Sequence, residues 1–386
     1  MLRINRKQDC CGCSACAQIC PKQCITMQAD EEGFIYPSID LGKCVNCGIC
    51  EKTCPVINKI QNCRDDSQAF AAYNLNEEER LASSSGGVFT LLANMILSEG
   101  GVVFGAAMSD DCKAVLHKKI DTVNGLECLR GSKYLQSCIG DVYIQVKKEL
   151  DNGRKVLFSG TPCQVGGLKA YLKKDYETLL CIEVVCHGVP SSKLWNKYKT
   201  FREKRAGSIT QRTFFRHKKY GWKMYAVLFE FSNSTAYRQI LYKDLYMQMF
   251  LQDLCLRPSC YECRFKGRNG MSDIALADCW GAEKICPELD DDKGLSLVLA
   301  YTKKGQTAFE CLKNNLVCKR IDMEQAIMFN RAIIESCAKP DSRDSFMQNI
   351  DYLTIKQLGN KYLKKQSILT QIRIWISIHI KKKIKN

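Results

Sequence analysis

The chain has 386 residues, 46% hydrophobic and 25% charged, values that exclude disordered and collagen-like classes and leave room for a small module beside a larger core. Its 25 cysteines lie in a long, Lys-rich chain that opens without a secretory signal pattern; a short secreted disulfide scaffold is excluded, and the cytoplasm of an oxygen-poor cell is the expected location. The formal charge of +16 is partly local to Lys381, Lys382, Lys383 and Lys385, and the other cations form no stripe with stacking aromatics, so nucleic acid is not an expected partner.

The first ~58 residues repeat themselves. Cys10-x2-Cys13-x2-Cys16-x3-Cys20-Pro21 returns at an offset of 34 residues as Cys44-x2-Cys47-x2-Cys50-x3-Cys54-Pro55. A 4Fe-4S cubane needs four converging thiolates, and the x2 spacings let one tight loop supply three of them. In two-cluster ferredoxins the Cys before Pro serves the other cluster. One cluster is therefore assigned to Cys10, Cys13, Cys16 and Cys54, and the second to Cys44, Cys47, Cys50 and Cys20. Zinc explains C-x2-C pairs, but neither the third cysteine at the same spacing nor the Cys-Pro. Cys11 and Cys24 fall off the repeat and read as small packing residues. Residues 1–58 are thus expected to form an α+β ferredoxin-like module, followed by an α/β body with βαβ units.

A boundary is expected near residues 59–68, with the body divided into parts at 68–150 and 151–320. Ser83-Ser84-Ser85-Gly86-Gly87 precedes Val88, Leu91, Leu92, Met95 and Ile96 at helical spacing. A turn of small residues at a helix start is receptive to phosphate, although such runs also serve as simple caps. Val102–Gly105 reads as a strand, and Arg130-Gly131-Ser132-Lys133-Tyr134 as a loop that offers a cation, a flexible backbone and an aromatic. Lys155–Phe158, Gln164–Lys174 and Leu179–Val185 form a βαβ unit, which places Cys163 and Cys186 just past the carboxyl ends of parallel strands.

With Cys260-x2-Cys263 these residues make a set of four that suits a third 4Fe-4S cluster; a closed zinc site is the alternative, and Cys279 is an alternative ligand within the set. Three clusters at about −2 each would reduce the net charge to about +10. Only four histidines are present; His187, beside a proposed ligand, is the candidate for proton chemistry, with a packing role as the plainer reading.

Residues 321–386 form a basic C-terminal segment of unassigned role. Between Ile368 and Ile384 apolar and basic residues interleave, consistent with a docked terminus or with contact at an anionic membrane surface; no apolar run is long enough to span a bilayer.

In order and spacing, these motifs together with Asp273-x4-Asp278-Cys279-Trp280-Gly281 resemble the coenzyme F-420 hydrogenase/dehydrogenase beta subunit family over roughly residues 8 to 310. The resemblance implies an FAD in the body, with Ser85, Gly86, Gly87, Gly131, Ser132, Lys133, Tyr134 and Thr161 as candidate contacts. It also implies an oxidoreductase that passes electrons between a hydride donor or acceptor at FAD and the clusters, working with a redox partner protein or small redox substrate. A non-catalytic electron-transfer subunit that docks to a partner enzyme is the alternative, and a cluster-bearing regulator acting on nucleic acid is a third reading.

Overall fold

The computed structural model describes residues 4–58, 66–268 and 270–364. In the module, the antiparallel hairpin of β1 (Ile25–Ala29) and β2 (Ile35–Ile39) is flanked by one-turn helices at Ala15–Gln18 and Ile49–Lys52. The duplication persists in the backbone: each helix follows a left-handed residue, Ser14 or Gly48, and carries a cysteine, Cys16 or Cys50, at its second position.

The body strands are β3 (Gln68–Asn74), β4 (Val102–Met108), β5 (Val115–Ile120), β6 (Ser137–Cys138), β7 (Val156–Gly160), β8 (Leu179–Val184), β9 (Thr210–His217), β10 (Ala226–Phe231), β11 (Ala236–Ile240), β12 (Ile274–Asp278), β13 (Ser296–Ala300) and β14 (Leu316–Ile321). Nine of them form one mixed sheet in the order β14-β3-β13-β12-β8-β7-β4-β5-β6. Its centre, β12-β8-β7-β4, is parallel, and antiparallel neighbours flank it. Even the flanking strand β13, Ser-Leu-Val-Leu-Ala, is buried at every residue, so both faces of the sheet are covered there. Strands from either side of residue 150 share this sheet, so the two parts of the body have a common core. A smaller antiparallel sheet, β11-β10-β9, packs with helices Ser192–Ala206 and Leu245–Leu251 around Trp195, Tyr198, Phe229 and Tyr246.

The βαβ unit sets the geometry of the site. β7 and β8 are parallel, and the helix Pro162–Leu172 between them begins with a Thr161–Gln164 capping box and Pro162 in its first turn. Cys163 and Cys186 therefore lie beyond the carboxyl ends of adjacent strands.

The module is seated firmly on the body. Phe34, 2% exposed, joins the Trp195 core. The backbone around it is held by Ser192 Oγ donating to Gly33 O (2.6 Å) and Lys193 Nζ to Glu31 O (2.8 Å). Arg343 clamps the Glu32 carboxylate with two bonds of 2.6 Å and also donates to Leu256 O. Residues 321–364 thus include a strap that fastens the module, whereas the amphipathic stretch at 368–384 lies outside the described residues. No helix among the described residues is long and apolar enough to cross a membrane.

Candidate functional site

Three cavities lined by cysteine form a row. The outermost is bounded by Cys20, Cys44, Cys47 and Cys50, with Cys24 beside them. The next is bounded by Cys10, Cys13, Cys16 and Cys54. The third, at the edge of the body sheet, brings together Cys163, Cys186, Cys260 and Cys263. Each cavity therefore gathers one of the sets expected from spacing. The donor chemistry fits iron–sulfur clusters in all three: the four sulfurs of each set, with a fifth cysteine, Cys24 or Cys11, beside them and no imidazole required.

The row is continuous. Cys16, Cys20, Cys44, Cys50 and Cys54 pack together between the first two cavities. Cys11, Val56 and Arg264 line both the second and the third. Cys13 rests on the body helix at Gly167, where an added Cβ would lie 2.9 Å from Cys13 Cβ and 3.1 Å from its Sγ.

Burial raises the pKa of several of these thiols. Burial pushes Cys16 and Cys186 up to about 12, and Cys260 rises well above its usual value for the same reason. Cys163 is raised first by its hydrogen bond with Cys11 and then by burial. Such groups become thiolates only when a metal centre supplies the compensating charge. Around the third cavity, Val189 N lies 3.4 Å from Cys260 Sγ, Thr161 Oγ1 3.1 Å from Cys163 Sγ, and Lys266 Nζ donates to Cys186 O.

Cys279 is placed elsewhere. It is 1% exposed in the core with Trp222, Ala282 and Cys286, and its raised thiol pKa, due first to burial, owes its next contribution to Cys286 and none to the third set. Cys11 and Cys24 are buried core residues, as the packing reading expects, and both also touch sulfurs of the proposed ligand sets. Cys11 exchanges hydrogen bonds with Cys13 and Cys163, and Cys24 Sγ lies 3.4 Å from Cys20 Sγ. Their departure from the repeat, where Val45 and Asn58 stand, is the one signal in the sequence that marks them.

His187 borders the third cavity, with Nε2 2.6 Å from Asp253 Oδ1 and Cys337 Sγ close by. Its ring meets Phe250 edge-on at 5.3 Å, and Phe250 lies 4.9 Å from Tyr134, so ring contacts run from the cavity to the 130–134 loop.

That loop and the 83–87 turn meet: Ser132 N donates to Ser84 Oγ at 2.6 Å. Most polar groups in the turn are occupied internally. Ser83 Oγ donates to Glu79 O, Ser85 Oγ to Leu295 O, and Gly86 N to Ser296 Oγ. Gly86 is glycine because a Cβ would sit 2.3 Å from Ala72 O. Lys218, which no sequence motif singles out, ties the turn in place by donating to Ser85 O, Arg80 O and Lys293 O. Receptivity to an anion rests instead on the neighbouring loop: Arg130 Nη2 lies 3.7 Å from Glu79 Oε1 but its Nε is buried with no hydrogen-bond partner, and Gly131 is open apart from Ser84 Oγ at 3.9 Å. Burial lowers Lys133, whose Nζ donates to Cys128 O and Arg130 O, to about 7. Beyond it, Tyr134 Oη accepts from Arg216, which clasps Asp278 with bonds of 2.7 and 2.9 Å. These orphaned and cationic groups fit a phosphate-bearing cofactor at the 130–134 loop.

Comparison with known proteins finds two matching regions. The 4Fe-4S dicluster domain matches residues 9–58, and the family described as the C terminus of the coenzyme F420 hydrogenase/dehydrogenase beta subunit matches residues 153–325. The chain is 36% identical over 61 residues to the NADH-quinone oxidoreductase subunit I of Pelobacter propionicus, covering 14% of this chain and 33% of that protein. It is 40% identical over 57 residues to subunit I 2 of Geobacter metallireducens, covering 14% and 44%. The matched stretch thus spans less than half the length of either relative. A chain of the F420-reducing NiFe hydrogenase complex from Methanosarcina barkeri aligns over 68% of this chain and 89% of its own, at 15% identity and a TM-score of 0.45. The chain therefore joins an N-terminal 4Fe-4S dicluster domain, the kind that holds two such clusters, to the C-terminal domain of the coenzyme F420 hydrogenase/dehydrogenase beta subunit family.

Proposed function

We propose that the protein is an iron–sulfur flavoprotein oxidoreductase that passes electrons along a row of three 4Fe-4S clusters to or from an FAD in the body. The observation that carries this reading is the row itself: three cysteine-lined cavities, the outer and middle ones joined by packed Cys16, Cys20, Cys44, Cys50 and Cys54, and the middle and third ones sharing Cys11, Val56 and Arg264. A bound flavin interconverts a hydride and two single electrons, and iron–sulfur clusters carry those electrons singly.

The residues have separate tasks. Cys44, Cys47, Cys50 and Cys20 hold the outer cluster where a redox partner can reach it; Cys10, Cys13, Cys16 and Cys54 hold the middle one. Cys163, Cys186, Cys260 and Cys263 hold the third against the sheet edge. Arg130, Gly131, Ser132 and Lys133 bind the cofactor phosphates, with Ser84 bracing the loop and Gly86 and Gly87 shaping the turn behind it. Ser85 and Thr161 act by holding backbone in place, through Leu295 O and through the capping box with Gln164. Tyr134 and Phe250 fill the space between loop and cluster. Asp253 Oδ1, bonded to His187 Nε2, fixes that ring at the edge of the third cavity.

The internal satisfaction of the 83–87 turn favours a second reading, a subunit that only relays electrons to a partner enzyme. One experiment separates the two. Anaerobic protein reconstituted with iron, sulfide and FAD is mixed with reduced coenzyme F420 or NADH, and flavin and iron–sulfur absorbance are followed. Bleaching of both by either donor is expected. Retention of the iron–sulfur absorbance with no flavin bound and no bleaching would replace the enzyme reading with the relay.

A further inference from the structure

Arg257 stands three residues before Cys260 and borders the third cavity, yet the hydrogen bonds of its guanidinium run into the ferredoxin module. It is 1% exposed and is among the largest fully buried side chains. Nε donates to Cys10 O at 2.9 Å, and Nη2 donates to Ile35 O at 2.9 Å and approaches Cys10 Sγ at 3.7 Å. Nη1 donates to Gln136 Oε1 at 3.1 Å, and the guanidinium lies 4.3 Å from the Tyr36 ring centre. Among the described residues these acceptors are neutral oxygens and one sulfur. A buried guanidinium is costly without an opposing charge, and the buried Arg343 of this same chain has its carboxylate in Glu32. At Arg257 the place of that carboxylate is taken by Cys10 Sγ, one of the four sulfurs around the middle cavity.

The sister cavity has no equivalent among the described residues. Its lining cation, Lys22, is exposed, where solvent screens its field. Two sites related by sequence duplication are thus made electrostatically unequal by cations from the body, the buried Arg257 beside Cys10 and the half-exposed Arg264, which pairs with Asp9.

We propose that Arg257 is the counter-ion of the cluster held by Cys10, Cys13, Cys16 and Cys54, raising that cluster's reduction potential and binding the module to the body through the same charge. The inference rests on the proposed cluster reading. Reduction takes one electron from a one-electron reductant, with no bond made or broken, and carries the cluster from about −2 to about −3. A fixed positive charge favours the more negative state, so its removal makes reduction harder.

The test is an EPR-monitored potentiometric titration of the anaerobic, iron-loaded full chain with dithionite, comparing wild type, Arg257→Gln and Arg257→Lys. In Arg257→Gln one iron–sulfur wave is expected to fall furthest, the ratio of reduced to oxidised cluster at a fixed potential dropping at least about tenfold, or about 59 mV for one electron. Arg257→Lys should recover most of that loss. Unchanged waves in a loaded Arg257→Gln protein overturn the inference while leaving the cluster reading intact. Wild type without ferredoxin-type signals overturns the cluster reading itself. If Arg257→Gln does not retain its middle-site iron, retention in Arg257→Lys supports the counter-ion role, and equal loss in both overturns it.

Discussion

At the residue scale, contacts that bring the module and body together matter more than ligand identity alone. Gly167 lies on the body helix that follows Thr161 and accepts Cys13 at a distance no side chain would allow. Gly167→Ala should therefore force either the helix or the first cysteine loop to move, costing about 1–3 kcal/mol as overpacked cores do. Denaturant unfolding of the loaded protein should show the lower midpoint, and iron analysis a loss confined to the middle cluster. Unchanged stability and iron would mean that the module is not pressed on this helix. Residues of this kind are hard to read from sequence. The ligands are legible because cubane geometry imposes short spacings that survive duplication. Cys11 resembles filler because nothing in the repeat matches it, and Arg257 resembles a turn residue because its partner Cys10 is 247 positions away.

At the element scale, the 130–134 loop is where pH should act. Burial lowers Lys133 to about 7, so without an anion beside it the side chain loses its proton as pH rises through neutrality. A phosphate favours the ammonium form; binding above that pH must then take up a proton, and affinity falls as pH increases. FAD affinity should weaken by up to about tenfold per unit above about pH 7, and Lys133→Gln should flatten the dependence. Titrations on either side of neutrality, at about pH 6.5 and about pH 8.5, check this; equal affinities at both would remove Lys133 from the cofactor site. The βαβ unit that orders Cys163 and Cys186 is legible from periodicity and handedness. The 83–87 turn is recognisable as a helix start, but its internal hydrogen bonds with Leu295 and Ser296 depend on β13 lying beside β3, a pairing across more than two hundred residues that no local pattern encodes.

At the scale of the whole molecule, the arrangement is a relay with a surface end and an enclosed end. Cys47 is exposed, Cys10 of the middle site is met by the buried Arg257, and the third is backed by the nine-stranded sheet. The seat of the module, from Phe34 to the Arg343–Glu32 clamp, holds the sites in fixed order, as a chain of single-electron steps requires. The central claim is that this row holds three 4Fe-4S clusters and delivers to one flavin. The most direct measurement is iron, acid-labile sulfide, zinc and FAD on one anaerobically purified sample. The account predicts about twelve irons, about twelve sulfides and one FAD per chain, with no stoichiometric zinc. About eight irons with one zinc, or with no flavin, would contradict it, leaving a two-cluster module on a structural zinc site or on a docking scaffold.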